Sequence, residues 1–481
     1  MDVAHREESH MNSDFERLDN DVLILIIDIL ILEDCKSFKE LSSVSKRLRS
    51  VCIPILFKTV QLYCGHIWRF SIPPAAWPYL RTWMIIGDYS EGPGLDAKKL
   101  TMMYPHLVAL RKLVFLSFKP GVYWYQIQSL MAIPNIRALE IQEPLDWERE
   151  DFSFFYESID PPSATLPFTE FVYSVADADA RYWNYAAKPK PTLLRCYMTP
   201  LLLSLHQNLE VLHLPAWKAP LSEMASIDWP RLQELKLEDD NYEGDDATIF
   251  ARLCSRMPSL RTLDFQFLNK GAKTETLIWP AEAASLPMPF SHLRTVYLPH
   301  PDPNDTFYAH LPSTLKQLRL VDCPRYYRFE DMKAQHFEGY RRPTLLSATD
   351  LLRLLNQLQG TFDSLDQFEV AFRADGQETA LYRFIVTTFP NLRWLQLHRY
   401  RAHGDSYADI ETAVTSIVHH VSSLHRLRHI RLYLNLPDDD DKPIRLLGRD
   451  NISGMMSRPD FADLLLHHAT TIVMGAVGGM V

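Results

Sequence analysis

One short pattern recurs along most of the chain: an apolar residue, two variable positions, an apolar residue, one variable position, an apolar residue. It occurs at Leu80–Ile85, Leu110–Phe115, Ile136–Ile141, Leu209–Leu214, Leu232–Leu237, Leu260–Phe265, Leu293–Leu298, Leu315–Leu320, Leu365–Val370, Leu392–Leu397 and Leu427–Leu432. The last two apolar positions are two residues apart, which puts them on one face of a short strand. The first closes the turn into that strand. Between these strands lie helix-like stretches such as "ATIFARLCSRM", "ATDLLRLLNQL", "TALYRFIVTTF" and "ETAVTSIVHHV", most of which lead into a Pro-, Ser- or Asn-marked turn. Helix, turn and strand, repeated mostly every 22 to 35 residues, predict an α/β solenoid. Its short strands are parallel, with helices on the outer face. Two longer steps, of 73 and 50 residues, are read as hidden degenerate repeats or insertions.

The first 60 residues follow a different period. Val22, Leu23, Ile26, Ile27 and Leu30 recur at helical spacing, while Leu25, Ile29 and Ile31 fill other faces. A helix apolar nearly all round must be buried by partners. Asp19 suits its N-cap. Further on, Phe38, Leu41, Val44, Leu48 and Val51 mark one face of a second helix, with Ser37 and Glu40 matching a capping box. On this reading Lys46, Arg47 and Arg49 lie at its C-terminal end, where cations complement the dipole, and Pro54 stops it. Residues 15–53 thus predict a compact helical hairpin or trio, too small to be stable alone.

Composition narrows the class. The chain has 481 residues, 47% hydrophobic and 23% charged, which fits a folded protein of more than one ordinary core. A net charge of −10 and a pI near 6.0 argue against a sequence-blind nucleic-acid binder. The six cysteines are scattered without a CxxC pair, so a reducing compartment is expected, cytoplasmic or nuclear. The charged N-terminus has no signal-peptide core. Val22–Leu32 and the tail 471–481 are too short to span a bilayer, which needs about 20 residues. No P-loop, GxGxxG, GxSxG or HExxH motif occurs, so no catalytic residue, metal site or cofactor is expected. His419-His420 and His467-His468 are adjacent pairs whose side chains point about 100° apart on a helix, which is not ligand spacing.

The stretch "LDNDVLILIIDILILEDCKSFKELSSVSKRLRSVCIPILFKTVQL" resembles the F-box of fungal F-box proteins. Leu18, Asp21, Val22, Leu23, Ile26, Ile27 and Leu30 sit where the family's leading hydrophobic run sits. Leu41, Val44, Ser45, Lys46, Arg47 and Leu48 match its Leu-x-x-Val-Ser-Lys-Arg-hydrophobic signature. Asp19 and Asp21 replace the usual proline and glutamate, and Leu48 the usual tryptophan. The resemblance implies a three-helix F-box over residues 15–62, behind a tail at 1–14, that docks on the Skp subunit of an SCF-type cullin–RING ubiquitin ligase. The docking residues it implies are Leu18, Val22, Leu23, Ile26, Ile27, Leu30, Leu41, Val44, Ser45, Lys46 and Leu48. Residues 75–445 are similar to an irregular leucine-rich-repeat domain, which in this family chooses the target protein. A regular Asn ladder is absent: the family's Asn or Cys appears only as Cys323 and Asn435. Residues 142–191 break the period and are read as an irregular insertion or degenerate repeats; 446–481 form a C-terminal cap or tail.

Strand alternation then places candidate target-binding residues on the opposite, concave face: Arg319, Trp394, Gln396, His398, Arg431 and Tyr433. Exposed Trp, Tyr and Arg are the types enriched in interface hot spots. Two other classes stay open. One is a repeat scaffold outside any ligase, its N-terminal helices serving as a cap; the other is an enzyme on an irregular α/β fold.

Overall fold

A computed structural model describes residues 18–33, 35–63, 72–87, 104–116, 127, 133, 135–143, 166–175, 192–216, 219–240, 246–268, 276–323 and 345–434. The acidic run at 437–443, the tail at 446–481 and most of 142–191 lie outside them. The chain divides into two compact units, the first ending with residues 166–177 and the second running from residue 178 onward.

The first unit opens with three helices: α1 (Asn20–Glu33), α2 (Cys35–Val44) and α3 (Lys46–Leu56). Where the apolar spacing predicts one helix through Leu48, the chain breaks at Ser45. The Ser45 backbone is extended (φ −148°, ψ 163°), and its hydroxyl accepts from the Leu48 N–H at 3.2 Å, a new N-cap. Three expectations are corrected by this break. Lys46 and Arg47 open α3 instead of closing a helix, where the dipole does not favour them. Arg47 is held by donating to the Leu18 carbonyl and, at 3.3 Å, to Asn20 Oδ1, which ties α3 to the start of α1. Ser37 lies inside α2 rather than at its N-cap, and Pro54 is accommodated within α3. Ile27, Phe38 and Cys52 form the core of the trio, with Leu41, Val51, Ile55 and Leu56 packed around them.

Five parallel strands follow in chain order: β1 (Thr59–Tyr63), β2 (Thr82–Ile86), β3 (Lys112–Leu116), β4 (Ala138–Glu143) and β5 (Glu170–Val175). β5 falls within the segment expected to break the period, and β1 within the expected F-box. Both fit the repeat pattern, β1 with Phe57, Val60 and Leu62 and β5 with Phe168, Phe171 and Tyr173.

The second unit carries α4 (Thr192–Leu205), β6 (Val211–Pro215), α5 (Leu221–Met224), β7 (Glu234–Asp240), α6 (Ile249–Ser255), β8 (Thr262–Leu268), β9 (Thr295–Pro299), β10 (Gln317–Val321), α7 (Ala348–Leu355), β11 (Gln367–Arg373), α8 (Glu378–Thr388), β12 (Trp394–Tyr400), α9 (Tyr407–Val421) and β13 (His429–Leu434). Its eight strands pair in parallel, each with its sequence neighbour. All eleven strands predicted from the pattern are present. The result is an open parallel sheet with helices, a solenoid-like α/β architecture.

Register explains the pattern. Leu212, Leu235, Leu263, Val296, Leu318, Phe368 and Leu395 form one continuous buried row, and Leu214, Leu237, Phe265, Leu298, Leu320, Val370 and Leu397 a second. Helices cover this face. Phe250 of α6 packs on Phe265 at 5.1 Å, and Tyr382 of α8 on Phe372 at 6.4 Å. The turn into each strand repeats too. The carbonyl before one strand accepts N–H bonds from the two residues that open the next, as Arg393 O does from Arg428 and His429 at 2.9 and 3.0 Å. This repeated backbone pairing does at the turns what a side-chain ladder does in regular repeats.

The connections flanking β9 contain no α-helix among the described residues. They are braced by Asp305, whose buried carboxylate accepts from the N–H groups of Ile278, Trp279 and Phe307 at 2.5, 2.9 and 3.0 Å. No helix of the described residues is long and apolar enough to cross a membrane.

Candidate functional sites on the helical trio and the sheet face

Packing sorts the residues that the resemblance assigns to docking. Leu23, Ile27 and Leu48 point into the trio and are buried. Leu18, Ile26, Leu30 and Leu41 are half-buried, Ser45 is the α3 cap, and Lys46 is exposed. Val22 and Val44 stand in solvent at 43% and 57% exposure. Three residues not assigned to docking join them: Ile24 at 40%, Leu25 at 62% and Ile29 at 51%. Val22, Leu25 and Ile29 are spaced i, i+3, i+7, so they form one outward stripe on α1, opposite the buried Leu23 and Ile27. Fully burying such a side chain is worth about 1.5–3 kcal/mol. Leaving several exposed on a small trio is the mark of an interaction surface. The signal was in the sequence, since α1 is apolar all round and one of its faces had to remain uncovered. Burial pushes the Cys52 thiol above its usual range, as expected for a packing cysteine.

On the second unit's sheet, the face opposite the helices carries a polar network. Arg319 Nε donates to Glu369 Oε2 at 2.6 Å across β10 and β11. The other Glu369 oxygen lies 3.0 Å from His398 Nε2 on β12, and Gln396 Nε2 lies 2.8 Å from the same ring nitrogen. One nitrogen serves one role at a time: it donates to Glu369 or accepts from Gln396, according to its protonation. The His398 ring stacks on Tyr433 of β13, with centroids 4.4 Å apart and planes at 4°. The Arg319 guanidinium lies over the Tyr297 ring at 4.6 Å.

Of the residues predicted for target binding, the structure brings Arg319, Gln396, His398 and Tyr433 together around Glu369, which the sequence reading did not name. Its signal was register, because Glu369 occupies the same strand position as Arg319 and Gln396. Gln396 and His398 are buried, Trp394 is half-buried, and Arg431 and Tyr433 are exposed. Burial on this face comes from a second apolar cluster of Tyr297, Val321, Leu345, Ala371 and Tyr400. Earlier strands are more polar. His213 pairs with Glu234 at 2.7 Å, and that bond holds the Glu234 carboxyl below its usual range. Lys236 pairs with Glu238 at 3.0 Å. Burial raises the Asp264 carboxyl against the pull of Gln266, Lys236, Arg319 and His213. No cluster of three or more His, Cys, Asp or Glu side chains able to hold a metal ion is present among the described residues.

No family model matches the sequence, and no curated protein matches it. Among solved structures the chain is similar to one described as the crystal structure of Rad7 and Elc1 complex in yeast. The identity is 14%, the alignment covers 94% of this chain and 98% of that chain, and the TM-score is 0.37. A likeness that remote assigns neither site nor activity.

Proposed function

We propose that the chain is the substrate-recognition adaptor of an SCF-type cullin–RING ubiquitin ligase, with α1–α3 as an F-box docking on the Skp subunit. The sheet face around Arg319, Trp394, Arg431 and Tyr433 then receives the target protein. The observation that carries the proposal is the outward apolar stripe Val22, Leu25 and Ile29, together with Val44, on helices whose sequence resembles that motif. A recognition adaptor needs no catalytic group of its own, since the ligase brings the transfer chemistry.

A second reading takes the trio as the cap of the repeat stack. The position of β1, which begins three residues after α3 and pairs with β2, favours it. Co-purification separates the two. A tagged full-length chain retains the Skp and cullin subunits on the first reading, and a Leu25→Asp, Val44→Asp variant loses both while melting at the same temperature. Recovery of neither subunit by the wild type leaves only the cap.

A further inference from the structure

The position just before the strand carries Lys58, Arg81, Arg111 and Arg137, all exposed, on four successive strands of the first unit, β1 to β4. The turn ladder fixes them in line: Lys58 O accepts from Arg81 and Thr82, Arg81 O from Arg111 and Lys112, Arg111 O from Arg137 and Ala138. Adjacent strands are about 4.8 Å apart, so the four cations start from one row along the N-terminal edge of the sheet. Like charges in register on neighbouring strands destabilise a sheet. Composition does not account for them, because the chain has 60 acidic and 50 basic residues. Glu140 and Glu170 are both taken by Lys112, at 2.9 and 2.7 Å. Among the described residues Lys58, Arg81 and Arg111 make no ion pair.

The row is positioned and interleaved with apolar groups. Arg111 Nη1 donates to the Val108 and Leu110 carbonyls at 3.2 Å, and Arg137 Nη1 to the Ile136 carbonyl at 2.8 Å. A guanidinium has five donors, so the Arg111 bonds orient the group without exhausting it. In the turns that lead into Arg81 and Arg111, Tyr79 and Val108 stand exposed at 39% and 54%. Asn135 Nδ2 donates to the Val108 carbonyl at 2.8 Å and locks that turn to the next.

We propose that this edge binds an acidic polypeptide segment of a partner protein, with carboxylates meeting the basic row and apolar side chains covering Tyr79 and Val108. Polypeptide fits better than nucleic acid because the exposed Val108 gives a base no stacking surface, whereas an apolar peptide side chain can cover it. The inference stands apart from the ligase proposal, since it needs only the first unit's strands.

The test is fluorescence anisotropy of the full-length chain with a labelled dodecapeptide of repeating Asp-Leu-Glu-Tyr. Binding is expected to weaken with added salt in the wild type. It should weaken at least tenfold in an Arg81→Glu, Arg111→Glu variant and severalfold in Tyr79→Ser, Val108→Ser. It should be unchanged in Arg426→Glu, which reverses an exposed charge elsewhere. The salt dependence needs no variant to fold, and Arg81→Lys, Arg111→Lys should retain binding. Three results overturn the proposal: an Asn/Gln version of the peptide binding equally well, a thymidine decanucleotide binding more tightly through the same arginines, or a wild-type dimer that the same reversals dissociate.

Discussion

Arg319 and Glu369 face each other across β10 and β11 at 2.6 Å, with the glutamate fully buried and the arginine reaching solvent. Removing one partner of such a pair strands the other charge. Arg319→Met is expected to cost on the order of 3 kcal/mol, and adding Glu369→Met to recover part of that loss, because the double variant also takes Glu369 from His398 and leaves it Gln396 alone of the two. Urea denaturation of the two single variants and the double variant measures the coupling. Additive losses would mean the pair does not act as a unit.

The same network separates residues that hold the sheet face from residues that can recognise a partner. His398 is buried between Glu369 and Tyr433, whereas Arg431 is exposed. His398→Ala should destabilise by about 2 kcal/mol, the cost of leaving buried polar groups unmet, and Arg431→Ala by no more than about 0.5 kcal/mol. Thermal or urea unfolding of each distinguishes them.

Much of this was legible in the sequence because a short strand advertises itself by two apolar residues of the same parity. The eleven strands read from the pattern obey that rule with aliphatic residues and with Trp83, Phe115, Phe265 and Phe368. β1 obeys it with Phe57, Val60 and Leu62 but lies inside the stretch read as the F-box, and β5 obeys it with aromatics alone, Phe168, Phe171 and Tyr173. Burial on the other face was not legible. Gln396 and His398 sit at alternating positions that read as exposed, but Tyr297, Val321 and Tyr400 from separate strands meet Leu345 there, and no local pattern encodes that meeting. The Ser45 break was hidden for the opposite reason: Leu41, Val44, Leu48 and Val51 keep helical phase across it.

That break gives a local prediction. Ser45→Ala removes the hydroxyl that accepts from Leu48 N–H and should cost about 1 kcal/mol. Amide exchange should quicken over residues 46–49 and stay unchanged at β11 and β12. A uniform change across the chain would show that Ser45 acts elsewhere.

Asp305 gives a pH dependence with a definite sign. Burial pushes its carboxyl up to about 6, against three backbone N–H bonds that pull it down. An unfolded carboxyl titrates near 4. Between about pH 4 and 6 the folded state therefore holds the extra proton, and this group's contribution to stability falls as pH rises through that window. Asp305→Asn stays neutral throughout. The wild type should lose stability relative to that variant by about 1.4 kcal/mol for each pH unit across the window, and by nothing further above it. Parallel stability curves for the two proteins would contradict the assignment.

The central claim is that α1–α3 are a docking module. Hydrogen–deuterium exchange of the full-length chain, with and without an equimolar purified Skp subunit, tests it most directly. Docking through Val22, Leu25, Ile29 and Val44 predicts slowed exchange across residues 20–33 and 35–44, with the strands from β6 to β13 unaffected. Unchanged exchange over 20–56, or protection confined to the sheet, would contradict it.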